Sequence, residues 1–499
     1  MSRLERALQR LPFADEDRGK ALAGLALAVL TVLATMVAAL QTDAGIRAQR
    51  GKRDADRVAL EAAGRDGGGL LRIGTGYGVW RRWYEQTERS RAARIAAEAD
   101  PDRGDAELLE ALAGIDGDIA EWMRQHSELL QAPYYDEDVG NTGFLRYEAD
   151  VQIEPQLRAQ EQHSVEASVA AAWDTRSSTY VTILTIIAVA LFFVGLGSQL
   201  RPPARRFLAV SGIALGLVSL VWATAEALSP IHRVPDEAIV RVAQARRETL
   251  LAYEPTSGSL TAEQEAGLRR AVTLADEALA IDPSFLSAHR ARAEGRLAHG
   301  EALRLANGPG AASDELLRAA VADYQVAVRV HADDVATWAN LGWAAFLSGD
   351  GGLASSATQR AIDIAPEDAT LYVQRATIRA FTGEVDAARA DIETALRVAA
   401  DVASDSGSYQ LSLATYFIRR LAEQDAPRAG ILAEMEERIH EAQVAIGVLD
   451  RPSGDRDAPS LEVSDITALR VAPDGSLAEG ARWKPVTRRS TRTPSATAS

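Results

Sequence analysis

Apolar residues run unbroken along three windows of the chain, and elsewhere they alternate with charged positions at helical spacing. Residues 21–40, 179–198 and 207–228 each continue for about 20 residues without Arg, Lys or Asp. At roughly 1.5 Å per residue, each window matches a hydrocarbon core of about 30 Å. A buried helix of a soluble protein rarely stays uncharged for five turns, so the pattern predicts three transmembrane helices. The charged leader 1–20 offers no small-residue cleavage site before Gln41, which makes the first window an uncleaved anchor.

The segment 41–178 reads as a helical block. Between residues 104 and 130, apolar side chains fall at Leu108, Leu112, Ile115, Ile119, Trp122 and Leu129, in steps of four and three, with His126 in the one gap. That spacing predicts a seam packed against partner helices. A second candidate helix, 79–98, carries Trp80, Trp83, Tyr84 and Ile95. A third, 153–173, carries Leu157, Val165 and Val169 and runs into the second span. Helices that leave one span and re-enter the next predict an antiparallel bundle standing on the membrane. Gly67, Gly68 and Gly69, with Gly74, Gly76 and Gly78, form the glycine-rich stretch. No strand precedes it and no Lys follows, so it predicts a flexible helix connection and not a phosphate loop.

Spans two and three are joined by residues 199–206 alone, which forces them to be antiparallel neighbours. Arg201, Arg205 and Arg206 in that loop mark the cytoplasmic face, together with the basic leader. Arg47, Arg50, Lys52, Arg53 and Arg57 pull the other way. Long segments translocate largely regardless of charge, so the short loop decides. The expected order is leader 1–20, span 21–40, extracytoplasmic block 41–178, span 179–198, cytoplasmic loop 199–206, span 207–228, a repeat domain 229–450 outside, and a Pro/Ser-rich, mostly disordered tail 451–499. Within that tail, 466–483 has the turn chemistry of a short hairpin around Pro473, Asp474 and Gly475.

Laying residues 335–368 over 369–402 brings out the most specific pattern in the chain, a repeat of helical-pair length. The first of these units places Trp338, Leu341, Gly342, Ala354, Ala361 and Pro366 at unit positions 4, 7, 8, 20, 27 and 32. The second repeats Tyr372, Ala376, Ala388 and Ala395 at 4, 8, 20 and 27. A preceding unit from Leu286 keeps Ala293, Ala320, Tyr324 and Ala327 around an insert near Asn307–Gly310. Ala271, Ala278 and Pro283 fit the second helix of one more, with its first helix in 235–253; further helices are expected at 409–424 and 427–447. Small residues at 8, 20 and 27 let two antiparallel helices nearly touch, and proline at 32 ends the second. The pattern resembles the tetratricopeptide repeat over about residues 236–447. That resemblance implies an all-α solenoid binding peptides or protein surfaces in a concave groove, with Arg290, Asn340, Trp343 and Gln374 at inward positions. Glu294, Thr370 and Gln374 depart from the family's carboxylate-clamp pattern, so a clamp is not expected.

Charge narrows the function classes. The chain carries a net −16; block 41–178 has 26 acidic against 17 basic side chains, and 229–450 has 33 against 21. Acidic soluble parts argue against nucleic acid. There is no cysteine, which removes thiol chemistry, and no His pair has the i, i+4 spacing of a helical zinc site. Asp136, Glu137 and Asp138 lack a calcium-loop context and read as a solvated acidic loop. Serines lack a nucleophile-elbow context. No metal, cofactor or enzymatic role is expected. Three lysines against 51 arginines, with abundant alanine, suggest a GC-rich bacterial genome and hence a bacterial cell envelope. The expectation is a membrane-anchored scaffold that binds a protein or peptide partner; the alternative is a sensor using block 41–178. Gly212 and Gly216 form a Gly-x-x-x-Gly step suited to close helix contact, within the hairpin or in a homo-oligomer.

Overall fold

The computed structural model describes residues 16–99, 104–136, 141–201, 204–253, 260–329, 332–401, 418 and 429–445. The tail from 451, its hairpin at 466–483, most of the leader and nearly all of the helix expected at 409–424 lie outside those residues. Apart from turns and a two-residue antiparallel ladder, β1 (Tyr135–Asp136) with β2 (Asn141–Thr142), the described chain is helical.

Helix α1 (Glu16–Ala99) runs 84 residues without interruption, about 126 Å at helical rise. It therefore contains the first apolar window and continues far beyond it. α2 (Ala106–His126) folds back along its far end, and α3 (Phe144–Glu148) and a wide turn at Ala149–Ile153 lead into α4 (Glu154–Gln199). α4 returns along α1 and includes the second window; α5 (Ala204–Leu228) holds the third. These three helices, α1, α4 and α5, are long and apolar enough to cross a membrane.

The three pack on one another through their small and branched faces. Val37, Ala44, Tyr180, Ile183, Ile187 and Ala223 form one buried layer, and Ala23, Leu30, Ala190 and Val194 a second. Leu25, Val29, Val32, Phe192, Leu217 and Val221 point outward, in keeping with helices that cross a membrane. A methyl added to Gly212 would lie 2.6 Å from Val194 and 2.7 Å from the Ala190 carbonyl, and one on Gly216 would overlap Leu30. The Gly-x-x-x-Gly step thus serves contacts inside the protomer's own bundle. Trp173 lies between Arg47 (4.8 Å) and Arg176 (5.0 Å), whose guanidinium also pairs with Glu226 at 3.2 Å. Such an aromatic and basic collar is compatible with the edge of a hydrocarbon layer.

The glycine-rich stretch differs from its expected role as a flexible connection: it lies in the middle of α1. Helical glycine costs about 1 kcal/mol against alanine, and at two of these positions α1 is closely approached by the segment before α4. A side chain at Gly76 would meet the Tyr147 ring at 3.3 Å, and one at Gly69 would meet Gln152 and the Val151 carbonyl at 3.4 Å. Gly76 is the tighter of the two, where the Tyr147 ring packs close to the α1 backbone.

Beyond the third span come α6 (Asp236–Ala252), α7 (Ala262–Ile281), α8 (Leu286–Asn307), α9 (Ala311–Ala327), α10 (Val335–Leu347), α11 (Gly351–Ile364), α12 (Ala369–Thr382), α13 (Val385–Asp401) and α14 (Ala429–Ala445). They pack as successive pairs, each against the next. α10 and α12 start one unit length apart, at Val335 and Ala369, and α11 and α13 keep the same spacing from Gly351 to Val385. Asp334, Asp350 and Asp368 cap α10, α11 and α12 by accepting from the amides of Thr337, Leu353 and Thr370. Gly349 and Gly383, again one unit length apart, turn the chain at φ of 89° each, a left-handed conformation that favours glycine. The insert in the preceding unit is not a loop. It lengthens α8 to 22 residues and α9 to 17, leaving a short turn at 308–310.

Candidate partner-binding face

The first helices of the pairs, α6, α8, α10 and α12, stand side by side, and the four expected groove residues lie on α8, α10 and α12. None of the four is fully exposed. Arg290 donates to Glu294 (2.9 Å) and Asp334 (2.6 Å), and Gln374 donates to the Ala339 carbonyl at 2.7 Å. Asn340 is half-buried beside the fully buried Tyr324 hydroxyl. Trp343 lies against Phe346 with the rings tilted (centroids 5.3 Å) and directs its indole N–H at Glu301, 3.4 Å away.

Arg290 belongs to a row of alternating charges: Glu161 on α4, Arg246 on α6, Glu294 and Arg290 on α8, and Asp334 before α10. Arg246 reaches Glu161 at 3.1 Å and Glu294 at 3.2 Å. Burial opposes ionisation of Glu294, but Arg246 and Arg290 outweigh it and hold its pKa below the usual range. Burial likewise works against the Arg290 charge, and Glu294 and Asp334 reverse that, raising its pKa. Arg290 is therefore committed to the fold, and Glu294 fills the place where a carboxylate-clamping site would need a donor.

The same row shows what covers one end of the face. Glu161 and Glu166 of α4 pair with Arg246 and Arg233, while Asp150 and Glu154 pair with Arg247 of α6. Val165 of α4 joins the apolar cluster of Ala238, Ile239 and Val242. The half of α4 that precedes its apolar window thus docks on the first pair, and periodicity gives no sign of this.

At the other end, Glu301 on α8 accepts from the Tyr253 hydroxyl (3.0 Å) and the Trp343 indole, with Phe346 and Phe381 beyond (5.1 Å between rings). No cation pairs with it among the described residues. Burial raises its pKa, only partly offset by those two donors. Folding therefore makes Glu301 harder to ionise, so its contribution to stability is full below the ordinary carboxylate range and is lost as pH rises through the raised pKa. Glu301 lies in the lengthened part of α8, outside the regular unit positions, which is why the comparison of units passes over it.

A second recurring arrangement ties each first helix to its own partner. Arg292 and Arg296 on α8 both grip Asp323 on α9, at 2.5 and 2.6 Å; Arg375 and Arg379 on α12 grip Asp391 on α13, at 2.6 and 2.7 Å. These are unit positions 7, 11 and 23 in both, allowing for the insert. The intervening unit has Leu341, Ala345 and Ala357 there, all buried. The ionic trio is exchanged as a set for an apolar one.

In block 41–178, Tyr77 and Phe144 stack at 4.7 Å, Trp80 meets Phe144 edge-on at 4.8 Å, and Tyr134 meets Tyr147 at 5.1 Å. Tyr134 donates to Asp150 (3.0 Å), which in turn pairs with Arg247 of α6. No protein-family model matches the sequence, and a search of curated proteins returns no match.

Proposed function

We propose that this chain is a membrane-anchored scaffold of the tetratricopeptide type, holding a protein or peptide partner along the face of α8, α10 and α12 on the extracytoplasmic side. The repeat reading rests on helix starts, caps and turn glycines that recur at one unit length, and on the exchange of positions 7, 11 and 23 as a set. The observation that carries the function is the cluster of Tyr253, Glu301, Trp343, Phe346 and Phe381. It is an acid without a cation, walled by aromatic rings, at the end of the face that α4 leaves open. Such a place suits a partner's Lys or Arg side chain flanked by apolar residues, because the cation would pair with the Glu301 carboxyl and the rings would cover its stem.

The test is capture of the partner on the full chain in lipid nanodiscs. Trp343→Ala and Glu301→Gln should each weaken retention by about tenfold or more, in keeping with the loss of a buried aromatic anchor, with unchanged circular dichroism. Retention that survives both changes removes this face from the function. Arg290→Ala is expected to lower thermal stability instead, since its partners are internal.

Orientation rests on Arg201 in the short connection and on Arg205 and Arg206, which the expected loop contained and which stand in the first turn of α5. With three crossings, block 41–178 and the repeats share one side, in keeping with the Glu161–Arg246 pair. A reporter active only outside the cytoplasm, fused after Asp450, should be on. A silent fusion beside a working cytoplasmic reporter would place the partners inside the cell.

One observation favours the sensor alternative: the aromatic cluster is tied to the repeats through Tyr134, Asp150 and Arg247. In that reading a ligand at Trp80 and Phe144 would alter the hold of α6. Tyr134→Phe should then change partner retention, which the scaffold reading does not require.

A further inference from the structure

The heptad-like stripe of α2 does not face its own protomer. α2 docks on α1 through a different, small-residue face: Ala113 and Ala120 are buried, Gly117 lies against Ser90, and the Ser90 hydroxyl donates to the Ala113 carbonyl at 2.7 Å. The bulky stripe turns outward, with Leu108 61% exposed, Leu112 44%, Ile115 57%, Ile119 38% and Trp122 59%. Isolated exposed apolar residues are ordinary, but five in one row are not.

We propose that this stripe is the seam of a parallel coiled coil formed with a second copy of the same chain. The spacing itself names the kind of occupant, because steps of four and three average about 3.5 residues and fit a helix carrying the same repeat. Asp116 and Asp118 flank the row and keep it as narrow as a two-helix seam. The five side chains expose roughly 500 Å² per copy, so pairing buries about 1,000 Å² in total, where specific interfaces begin.

The bilayer is excluded by distance. Ser90, where α2 is held, lies about 50 residues past position 40 on an unbroken helix, roughly 75 Å beyond the end of the span. Two copies in one membrane insert in the same direction, so their two-fold axis lies along the membrane normal and the α2 helices run parallel. In that register the flanking neighbours are Ala111 with Asp116 and Asp118 with Met123, and no acid meets an acid.

The chain has no cysteine, so a single introduced thiol reports one position. In membranes carrying the full chain, Ile115→Cys should form a disulfide-linked dimer under mild oxidation at a yield about tenfold above Gly114→Cys, an exposed position beside the seam. The wild-type chain in nanodiscs should have the mass of two copies, and Ile115→Glu with Trp122→Glu should reduce it to one with unchanged circular dichroism. Three results would overturn the proposal: a wild-type mass of one copy, a two-copy mass indifferent to the glutamates, or an Ile115→Cys thiol that is shielded in cells without linking to itself. The last would assign the stripe to a different protein.

Discussion

Gly342→Leu should unfold the repeat that contains it. Gly342 sits where α10 crosses α11, and a methyl placed there would overlap the Thr358 hydroxyl and stand 3.2 Å from the Ala354 carbonyl. The obstacles are buried backbone and a fully buried side chain, so neither can swing aside. Overpacking a close contact costs about 1–3 kcal/mol when the neighbours can shift, and a branched side chain against backbone belongs at or above the top of that range. Ala361→Trp, at another fully buried small position, should act likewise. The measurement is thermal unfolding of the full chain followed by tryptophan fluorescence, because Trp338 and Trp343 lie on the affected helix. An unchanged transition would mean that the repeat register is misplaced.

Arg246→Ala should have an effect of similar size at a different place. Arg246 is the cation between Glu161 on α4 and Glu294 on α8, and all three side chains are largely buried. Removing it leaves Glu161 without its partner and Glu294 with Arg290 alone. Breaking a buried pair from one side costs roughly 3–5 kcal/mol, because the remaining charge stays desolvated. Hydrogen exchange should rise in α6 and in residues 154–178 of α4, and thermal unfolding should divide into two transitions. Glu166→Gln is the control. Its partner Arg233 is mostly exposed, and such pairs contribute about 1 kcal/mol or less. If both variants behave alike, the row of alternating charges does not hold the repeats to the membrane-proximal helices.

The four residues expected to face inward lie on α8, α10 and α12, because position along a helix determines which face a residue shares. Their availability was not legible. Arg290 has one acid a helical turn away at Glu294 and another far along the chain at Asp334; the acceptor of Gln374 is the Ala339 carbonyl on the neighbouring first helix. Glu301 is not legible from the units for the opposite reason, since it belongs to the insert and has no counterpart in them.

The stripe on α2 makes the same point about a whole face. Its spacing predicts a seam packed against partner helices, yet within the chain the stripe stands exposed. The chain instead used Ala113, Gly117 and Ala120, where small side chains allow closer approach to α1.

By itself the sequence determined the three apolar helices and the regular recurrence of helix starts, caps and turns. Each of these is written in neighbouring residues, through unbroken apolar runs, Asp caps and glycines at left-handed turns. The tertiary structure decided that α1 passes straight through its glycines, that α4 covers one end of the repeat face, and that the bulky side of α2 is left open. Those outcomes depend on pairs such as Gly76 with Tyr147 and Glu161 with Arg246, whose members lie far apart along the chain. No local pattern encodes such a meeting; it arises only when the helices are brought together and one close approach is lower in free energy than another.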